Sequence, residues 1–551
     1  MPSAFRRNRG QSYELLPRAS IESDPEQNEF IAAFPHKLQN TRPSWFAPWA
    51  SRIVYTLFCV LGFLVSPFGV KRKLSRTLYC VLFGTPYFFT ALVLLTAVFR
   101  PSYTHPPPHY TELRRRCTGS QEPGRGNPHN EKVFIAASIY DHEGELLGGL
   151  WGKAMLELVD ILGPQNVYLS IYENDADPNA LDALSKFKEM VKFDHTILNE
   201  HLPLEDISRV TLPSGESRIK RIAFLAEVRN RALRPLESIT TRYDKLLYVN
   251  DVVFDPVDAV QLLMSTGQNP GTGRTTYAAA CAVDFINAFK FYDRFATRDL
   301  EGYSMGIPFY PWFATAGNSV SRKDVLAQSD AVRVRACWGG MTAFEARFFQ
   351  NDVPAIDPTS PPTSSLESSI EALPNAADAQ AVATIPRPVR FRYETDPYWD
   401  ASECCLIHAD VTFAAQGRNA THNSAGDLSS GIVMNPYIRV AYDSTTLSWL
   451  GFTRRFERLY SVVHDVANRW VGFPYPNPRR LEQPGDKSKE WVWMYDDGEK
   501  GEMGKGEFKE VTRMTEPGRF CGGRKLLVIN ENPGEGEKNW EDIPIPGREG
   551  A

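Results

Sequence analysis

From Val133 onward the chain alternates short, wholly apolar runs with longer runs whose apolar residues recur every three or four positions. That alternation commits it to an open α/β sheet with helices on its faces. Val133 to Ser138 reads as a buried strand. Leu146, Leu147, Leu150, Trp151, Ala154, Leu158 and Ile161 then follow at helical spacing until Gly163-Pro164 ends the helix. Val167 to Ile171, Leu246 to Val249 and Tyr277 to Val283 are the next strands, and Ala180 to Val191, Arg218 to Leu236 and Pro256 to Met264 are helices. Proline opens the last of these, where a helix tolerates it best because the amide it lacks would have no intrahelical acceptor.

In such sheets ligands gather beyond the carboxyl ends of the strands, so the polar residues that follow each apolar run are the candidates for chemistry. Tyr140-Asp141-His142-Glu143 follow the first strand, Glu173-Asn174-Asp175-Ala176-Asp177 the second, and Asn250-Asp251 the run that ends at Val249. A carboxylate fixed between apolar neighbours is costly unless a cation or hydrogen-bond donors satisfy it. Asp251 fits that description best. It suits a transferase that uses a nucleotide-diphosphate sugar, where a divalent cation, Mn2+ or Mg2+, offsets charge on the leaving diphosphate. Asn250 stands where an Asp-x-Asp metal signature would have its first Asp. The alternative for Asp251 is an N-cap for the helix at Pro256. The literal Asp-x-Asp, Asp175 to Asp177, takes a nucleotide or surface-turn role, with Asp141 as a further donor-binding candidate.

The segment Arg218 to Leu236 carries Arg218, Lys220, Arg221, Arg229, Arg231 and Arg234. Guanidinium planes bind phosphate through paired hydrogen bonds, so Arg229 with Asn230 is expected to hold the diphosphate, while Arg231 and Arg234 read as a solvated face. Tyr292-Asp293-Arg294 and Arg298 to Gly302 alternate charge as an ion-paired turn does, with Asp299 an acidic candidate for the substrate. In Cys337-Trp338-Gly339-Gly340-Met341, Gly339 and Gly340 let backbone approach a sugar and Trp338 offers a flat apolar face. Glu345 follows as a carboxylate for the anomeric centre. Ser402 to Asp410 adds Glu403 and His408, with His408 and Asp410 on one side of a strand. His408 either completes the metal shell or is a satisfied core histidine.

Ahead of these elements lies Thr77 to Phe99, a run without charge and long enough for a membrane span. Lys71, Arg72, Lys73 and Arg76 precede it and only Arg100 follows, which places the N-terminal flank in the cytosol and the rest of the chain in the lumen. The expected organisation is a disordered tail over 1–52, an anchor over 53–99 whose first part, 53–70, is a second span or an interfacial helix, and an extended stem over 100–130. The α/β domain then occupies 131–480 with a mobile insertion at 353–386, followed by a mostly disordered tail over 481–551. Asn419-Ala420-Thr421 is a glycosylation sequon. Cys117, Cys281, Cys337, Cys404, Cys405 and Cys521 can pair in an oxidising lumen or stay as buried thiols. A net charge of -5 argues against a nucleic-acid partner, and a mean hydropathy of -0.33 against a multi-span transporter.

Several of these blocks, in this order, resemble the fungal cryptococcal-type mannosyltransferases that include the α-1,3-mannosyltransferase and capsule-associated proteins. The resemblance rests on IAASIYDHEGEL, SIYEND, AEVRNRAL, LLYVNDVVF, YDRFATRDLEGY, CWGGM, SECCLIHADV and NPYIRVAY, between Val133 and Tyr442. It implies a type II Golgi membrane enzyme with a GT-A-like (Rossmann-like) lumenal domain that moves mannose from GDP-mannose to a mannose-containing glycan acceptor with the α configuration retained. It also implies that Asn250-Asp251 is the metal motif and that Glu345 and Glu403 are acidic site positions. The rival functions are a non-catalytic lumenal glycan-binding scaffold and a glycoside hydrolase that uses Glu345 and Glu403 as its two carboxylates.

Overall fold

The computed structural model describes residues 73–212, 214–351, 388–416, 430–475, 477–495, 506–531 and 538–546. The tail 1–52, the apolar run 53–70, the insertion 353–386 and the sequon at Asn419 lie outside the described residues. Two helices come first, α1 (Lys73–Phe99) and α2 (Pro108–Gly119). An alternating region follows: β1 (Val133–Ile139), α3 (Leu150–Leu162), β2 (Val167–Asn174), α4 (Pro178–Met190) and β3 (His195–Glu200). A small hairpin, β4 (Arg209–Thr211) and β5 (Ser217–Ile219), leads to α5 (Arg221–Leu233), β6 (Lys245–Val249), α6 (Pro256–Met264) and β7 (Ala279–Asn287). The second half of the sheet comes from β8 (Lys290–Phe291), β9 (Arg298–Asp299), α7 (Val320–Leu326), β10 (Val332–Ala336), β11 (Met341–Glu345), α8 (Glu403–Gln416) and β12 (Ile432–Ala441). The chain closes with α9 (Ser444–Thr453), α10 (Tyr460–Val471), β13 (Lys487–Tyr495), β14 (Gly506–Met514), β15 (Leu527–Ile529) and β16 (Trp540–Asp542).

The ten-stranded sheet has the order β3-β2-β1-β6-β11-β7-β12-β10-β9, with β8 paired to β7. Strands β3, β2, β1 and β6 run parallel. β11 lies antiparallel between β6 and β7, and β12 returns parallel to β7. β11 therefore begins at the end of the sheet where β6 and β7 finish. Both faces are covered: Val133, Ile135 and Ala137 of β1 face one core, and Phe134 and Ala136 the other. Burial on both sides is why the central strands read as unbroken apolar runs.

Three expectations about organisation are revised. Residues 100–119 of the expected stem are folded onto the domain: Tyr103 and Tyr110 are each 1% exposed, and Tyr110 donates to Asp330 at 3.1 Å. Glu403 to Asp410 opens helix α8, with Ser402 just ahead of it, and is not a strand; it is buried around its whole circumference. A short run apolar on all sides carries no period that separates the two. The region beyond 480 forms two hairpins, β13–β14 and β15–β16. They are held by a small core of Trp493, Leu526 and Val528 and by a disulfide from Cys405 in α8 to Cys521. A second disulfide joins Cys281 to Cys337, while Cys117 and Cys404 are buried thiols. The expected span Thr77 to Phe99 lies within α1, yet among the described residues no helix is long and apolar enough to cross a membrane, so that expectation is not supported.

Candidate active site

The carboxyl ends of β6, β7 and β12 and the start of β11 meet at one place, the switch from parallel to mixed strands where an α/β sheet opens a cleft. Asn250, directly after β6, is fixed there by four hydrogen bonds. Its amide donates to the Gly340 carbonyl at 2.9 Å, its own carbonyl accepts from Trp151 Nε1 at 2.9 Å, and its Oδ1 accepts from Arg229 Nη1 at 3.1 Å and Trp338 Nε1 at 3.3 Å. An amide oxygen that receives two inward donors is a structural acceptor. Asn250 therefore holds the turn, and Asp251 is the carboxylate that the turn presents beyond the strand. The following residues are tied to β12 by the reciprocal Val253–Ala441 bonds, 2.7 and 3.2 Å. That bridge sets Asp251 beside Tyr442, whose phenol its charge reaches. Asp255, not Asp251, caps α6, accepting from the Val257 amide. The capping alternative for Asp251 is thereby removed.

Two further carboxylates surround Tyr442. Asp284, fully buried in β7, accepts from the Tyr442 hydroxyl at 3.1 Å and from the Asp293 amide at 3.1 Å. Asp293 accepts from the Ala296 amide at 3.2 Å and the Gly339 amide at 3.4 Å. Burial raises both above the ordinary carboxylate range, and Asp293 raises Asp284 further by like-charge repulsion. The Tyr442 hydroxyl is raised as well, by burial and then by Asp284. Tyr292 stacks edge-on against Tyr442 at 4.6 Å and closes this side.

The Arg-rich helix divides into two roles. Arg229 is buried, with Nε on Glu403 Oε1 at 2.9 Å and its guanidinium 4.7 Å above the Trp338 ring. Its remaining neighbours, Tyr248 and Phe391, complete an aromatic cage. This corrects the expectation that Arg229 and Asn230 clamp a diphosphate: Arg229 is committed to Glu403 and Asn250, and Asn230 exchanges two 2.8 Å bonds with the backbone of Phe391. Arg221, two helical turns earlier, differs. It has no hydrogen-bond or ion-pair partner among the described residues beyond a 5.9 Å approach to the Trp540 ring, and Tyr292, Glu403 and Asp400 are the acidic groups that act on it. Arg221 and Asp284 are the site residues that the sequence does not single out: Arg221 is lost among its basic neighbours, and Asp284 sits inside an apolar strand.

Other expected residues are placed as follows. Glu403 joins the site through Arg229. Glu345 does not: it ends β11 and pairs with Lys245 at the amino end of β6, where its carboxylate accepts from Arg347 Nε at 2.7 Å. Five residues of β6 at about 3.3 Å each put it roughly a strand's length from Asn250, which also takes away the carboxylate pair of the hydrolase alternative. Asp299 lies in β9, five strands along the sheet from β6, and accepts from the amides of Glu301 and Tyr303 as a turn cap. Trp338 is 2% exposed and offers no face to a sugar. Gly339 and Gly340 have φ of +61° and +67°, and a Cβ there would meet the Ala282 carbonyl at 2.0 Å and Val252 at 2.7 Å. These glycines serve the backbone crossing into β11, not a sugar. Asp141 accepts from the amides of Leu146 and Leu147 at 2.7 and 2.9 Å, shaping the loop after β1. Asp175, at φ +55°, contacts His201 Nδ1 at 2.7 Å at the end of β2, while Asp177 caps α4.

His408 is no ligand partner for Asp251. On α8 its Nδ1 lies 2.7 Å from the Cys404 carbonyl and its Nε2 3.7 Å from Cys281 Sγ, and burial holds it down to about 4, neutral. Among the described residues the three-ligand group with atoms within 4.8 Å of one another is Cys281, Cys337 and His408, and both cysteines are spent in the disulfide. The hard oxygen donors at the cleft suit a divalent cation, but they do not converge as a complete cage. An ion there fits the pattern of one or two protein carboxylates with the remaining ligands from a substrate's phosphates.

A family model described as cryptococcal mannosyltransferase 1 matches residues 132–410, half of the chain. Among solved structures, the mannosyltransferase PcManGT from Pyrobaculum calidifontis in complex with GDP-Man and Mn2+ is 10% identical, with 72% of this chain and 77% of that chain covered and a TM-score of 0.27. Mannosyl-3-phosphoglycerate synthase from Rubrobacter xylanophilus is 13% identical over 76% of this chain and 94% of that one, with a TM-score of 0.26. TarS 1-349 of S. aureus in complex with UDP-GlcNAc is 9% identical over 57% and 59%, with a TM-score of 0.24. Scores of this size carry no argument about the present chain. No curated protein matches it.

Proposed function

The chain belongs to the cryptococcal mannosyltransferase 1 family, and on that premise we propose that it transfers mannose from GDP-mannose to a mannose-containing glycan through an α-1,3 linkage with retention at the anomeric carbon. The observation that carries the reading is the juxtaposition at one strand end of Asp251, the acids Asp284 and Asp293, and Arg221, a cation with no hydrogen-bond or ion-pair partner among the described residues. In this reading the domain is GT-A-like, and the donor diphosphate lies between Arg221 and Asp251. Arg221 gives charge-assisted hydrogen bonds to phosphate oxygens, and Asp251 holds Mn2+ or Mg2+. The ion, when bound, neutralises charge that develops on the leaving diphosphate.

Arg229 does not touch the donor in this scheme. It is a positioning residue that locks Asn250, and so Asp251, through the Glu403 pair. Asp293, partly exposed, is the acid placed to hydrogen-bond a sugar hydroxyl near the reacting carbon, while the fully buried Asp284 holds Tyr442 and the Asp293 backbone in position. A retaining transfer needs no enzymic general base, so the departing phosphate oxygen takes the acceptor's proton as the new glycosidic bond forms. The two disulfides fit an oxidising compartment, which supports a Golgi lumenal domain, and the apolar N-terminal region is the part proposed to attach it to the membrane. Nucleotide release by the purified full chain, screened against GDP- and UDP-sugars with Mn2+, tests the proposal. It predicts release from GDP-mannose that is stimulated by a mannoside acceptor. Release from UDP-sugars alone, or binding without turnover, refutes it.

A further inference from the structure

Helix α10 is inverted relative to an ordinary surface helix. Its inward face carries His464, fully buried and 3.2 Å from Arg322, and Asn468, which accepts from the Ile307 amide at 2.8 Å. Its outward face carries Val462 at 65%, Val466 at 64% and Trp470 at 71% exposure. A soluble domain gains nothing by turning valines and tryptophan outward while burying histidine and asparagine. The apolar face continues across the preceding turn as a row of rings: Trp449 to Phe452 at 5.9 Å, Phe452 to Phe456 at 5.3 Å, and Phe456 to Tyr460 at 6.2 Å. Trp449 and Phe452 on α9 are both more than half exposed. Arg455 and Arg469 are exposed along the same stretch, and the one exposed acid of α10, Asp465, is paired with Arg322, so aromatic and aliphatic side chains are interleaved with free-facing cations, the composition of a helix seated in the lipid headgroup layer.

The patch is continuous with α1. Three residues after that helix ends, the Ser102 amide donates to the Arg454 carbonyl at 3.0 Å, and Arg454 Nη1 returns to the Tyr103 carbonyl at 2.9 Å. Both bonds fall in the turn between α9 and α10. The outer side chains of α1 near its end, Leu94, Val98 and Phe99, are 61–72% exposed and have no protein covering among the described residues.

We infer that α9 and α10 form a lipid-docking face, which seats the domain directly on the bilayer surface at the root of α1 with Trp449, Phe452, Val466 and Trp470 in the interfacial layer. This rests on the proposed attachment of the N-terminal apolar region to the membrane, and it needs α1 to touch the bilayer surface, not to cross it. It replaces a domain held off the membrane on a stem with one fixed in orientation against it, so that acceptors attached to or approaching the membrane meet the sheet from a defined side.

The test uses the full chain reconstituted in phosphatidylcholine–phosphatidylserine vesicles that carry a nitroxide-labelled lipid, with single bimane labels introduced by Val466→Cys, Phe452→Cys, Leu94→Cys and Lys186→Cys. Lys186, on α4 by the opposite sheet edge, is the exposed control. The inference predicts quenching at 466 and 452 about threefold or more above that at 186, and its loss at 452 in a Val462→Glu/Val466→Glu variant while 94 stays quenched. Quenching at 466 and 452 no greater than at 186 overturns it. In that event quenching at 94 shows that the anchor reading stands alone, and absence at 94 shows that both fail. Cross-linking between copies through 466 without quenching also overturns it, in favour of a second copy on this face.

Discussion

The two ends of strand β6 carry the same kinds of side chain and do opposite things. At the amino end Glu345 pairs with Arg347 at 2.7 Å, in water, with side chains 27% and 60% exposed. At the carboxyl end Glu403 pairs with Arg229 at 2.9 Å, with side chains 4% and 7% exposed, and that pair in turn fixes Asn250. An acid and an arginine make a site only where burial removes the competition of water and the strand order opens a cleft. Elsewhere the same pair decorates the surface.

The comparison breaks first on stability. Arg229→Ala strands Glu403 in the interior and is expected to cost about 3–5 kcal/mol, whereas Arg347→Ala is expected to cost about 0–1 kcal/mol. Thermal unfolding of the two variants reads the difference. Equal losses would dissolve the distinction between the ends.

Much of this was legible in the sequence and part of it was not, for identifiable reasons. The strands that lead to Asp141, Asp175 and Asn250 follow from unbroken apolar runs, and the observed β1, β2 and β6 lie where those runs do. Asp251 stands out in the sequence because a carboxylate after an apolar strand demands a partner. Glu345 misleads because β11 is antiparallel, so the residue that ends it sits at the opposite edge from the residue that ends β6. Strand direction is not written in composition. Trp338, Gly339 and Gly340 read in sequence as a sugar platform, yet they serve the crossing into β11 and the Asn250 bond. The buried face of α8 erased the period that would have shown a helix, and the Cys405–Cys521 link that orders the tail joins residues whose pairing no spacing reveals.

The next largest contrast is catalytic. Asp251→Ala is expected to lower transfer about 10²–10³-fold, the loss typical of removing one charge-stabilising group, and Glu345→Ala to leave it within about twofold. A coupled assay of nucleotide release measures both. Comparable losses would return Glu345 to the site. Arg221 sharpens the contrast within one helix: Arg221→Ala is expected to leave the melting temperature unchanged and to raise the donor KM roughly tenfold or more, the worth of a charge-assisted hydrogen bond of about 1.5–3 kcal/mol. A fall in melting temperature without a change in KM would make it a second structural arginine.

The smallest effect is a pH dependence. Burial lifts Glu173, at the end of β2, from 4.5 to about 7. Between those values the folded chain holds a proton that the unfolded chain has released, so this group's contribution to stability falls as pH rises through the window. Glu173→Gln lacks that titration. Its stability relative to the parent is expected to rise between pH 4.5 and 7, by an amount on the order of 1–3 kcal/mol, and to level off above. A pH-independent difference in urea unfolding would contradict the burial assigned to Glu173.

Titration calorimetry of GDP into the full chain, with and without Mn2+, tests the proposed site most directly. The account predicts binding that requires the ion, weakens at least tenfold in Asp251→Ala and is unchanged in Glu345→Ala. GDP affinity that is the same in Asp251→Ala as in the parent, with Mn2+ present, would contradict it.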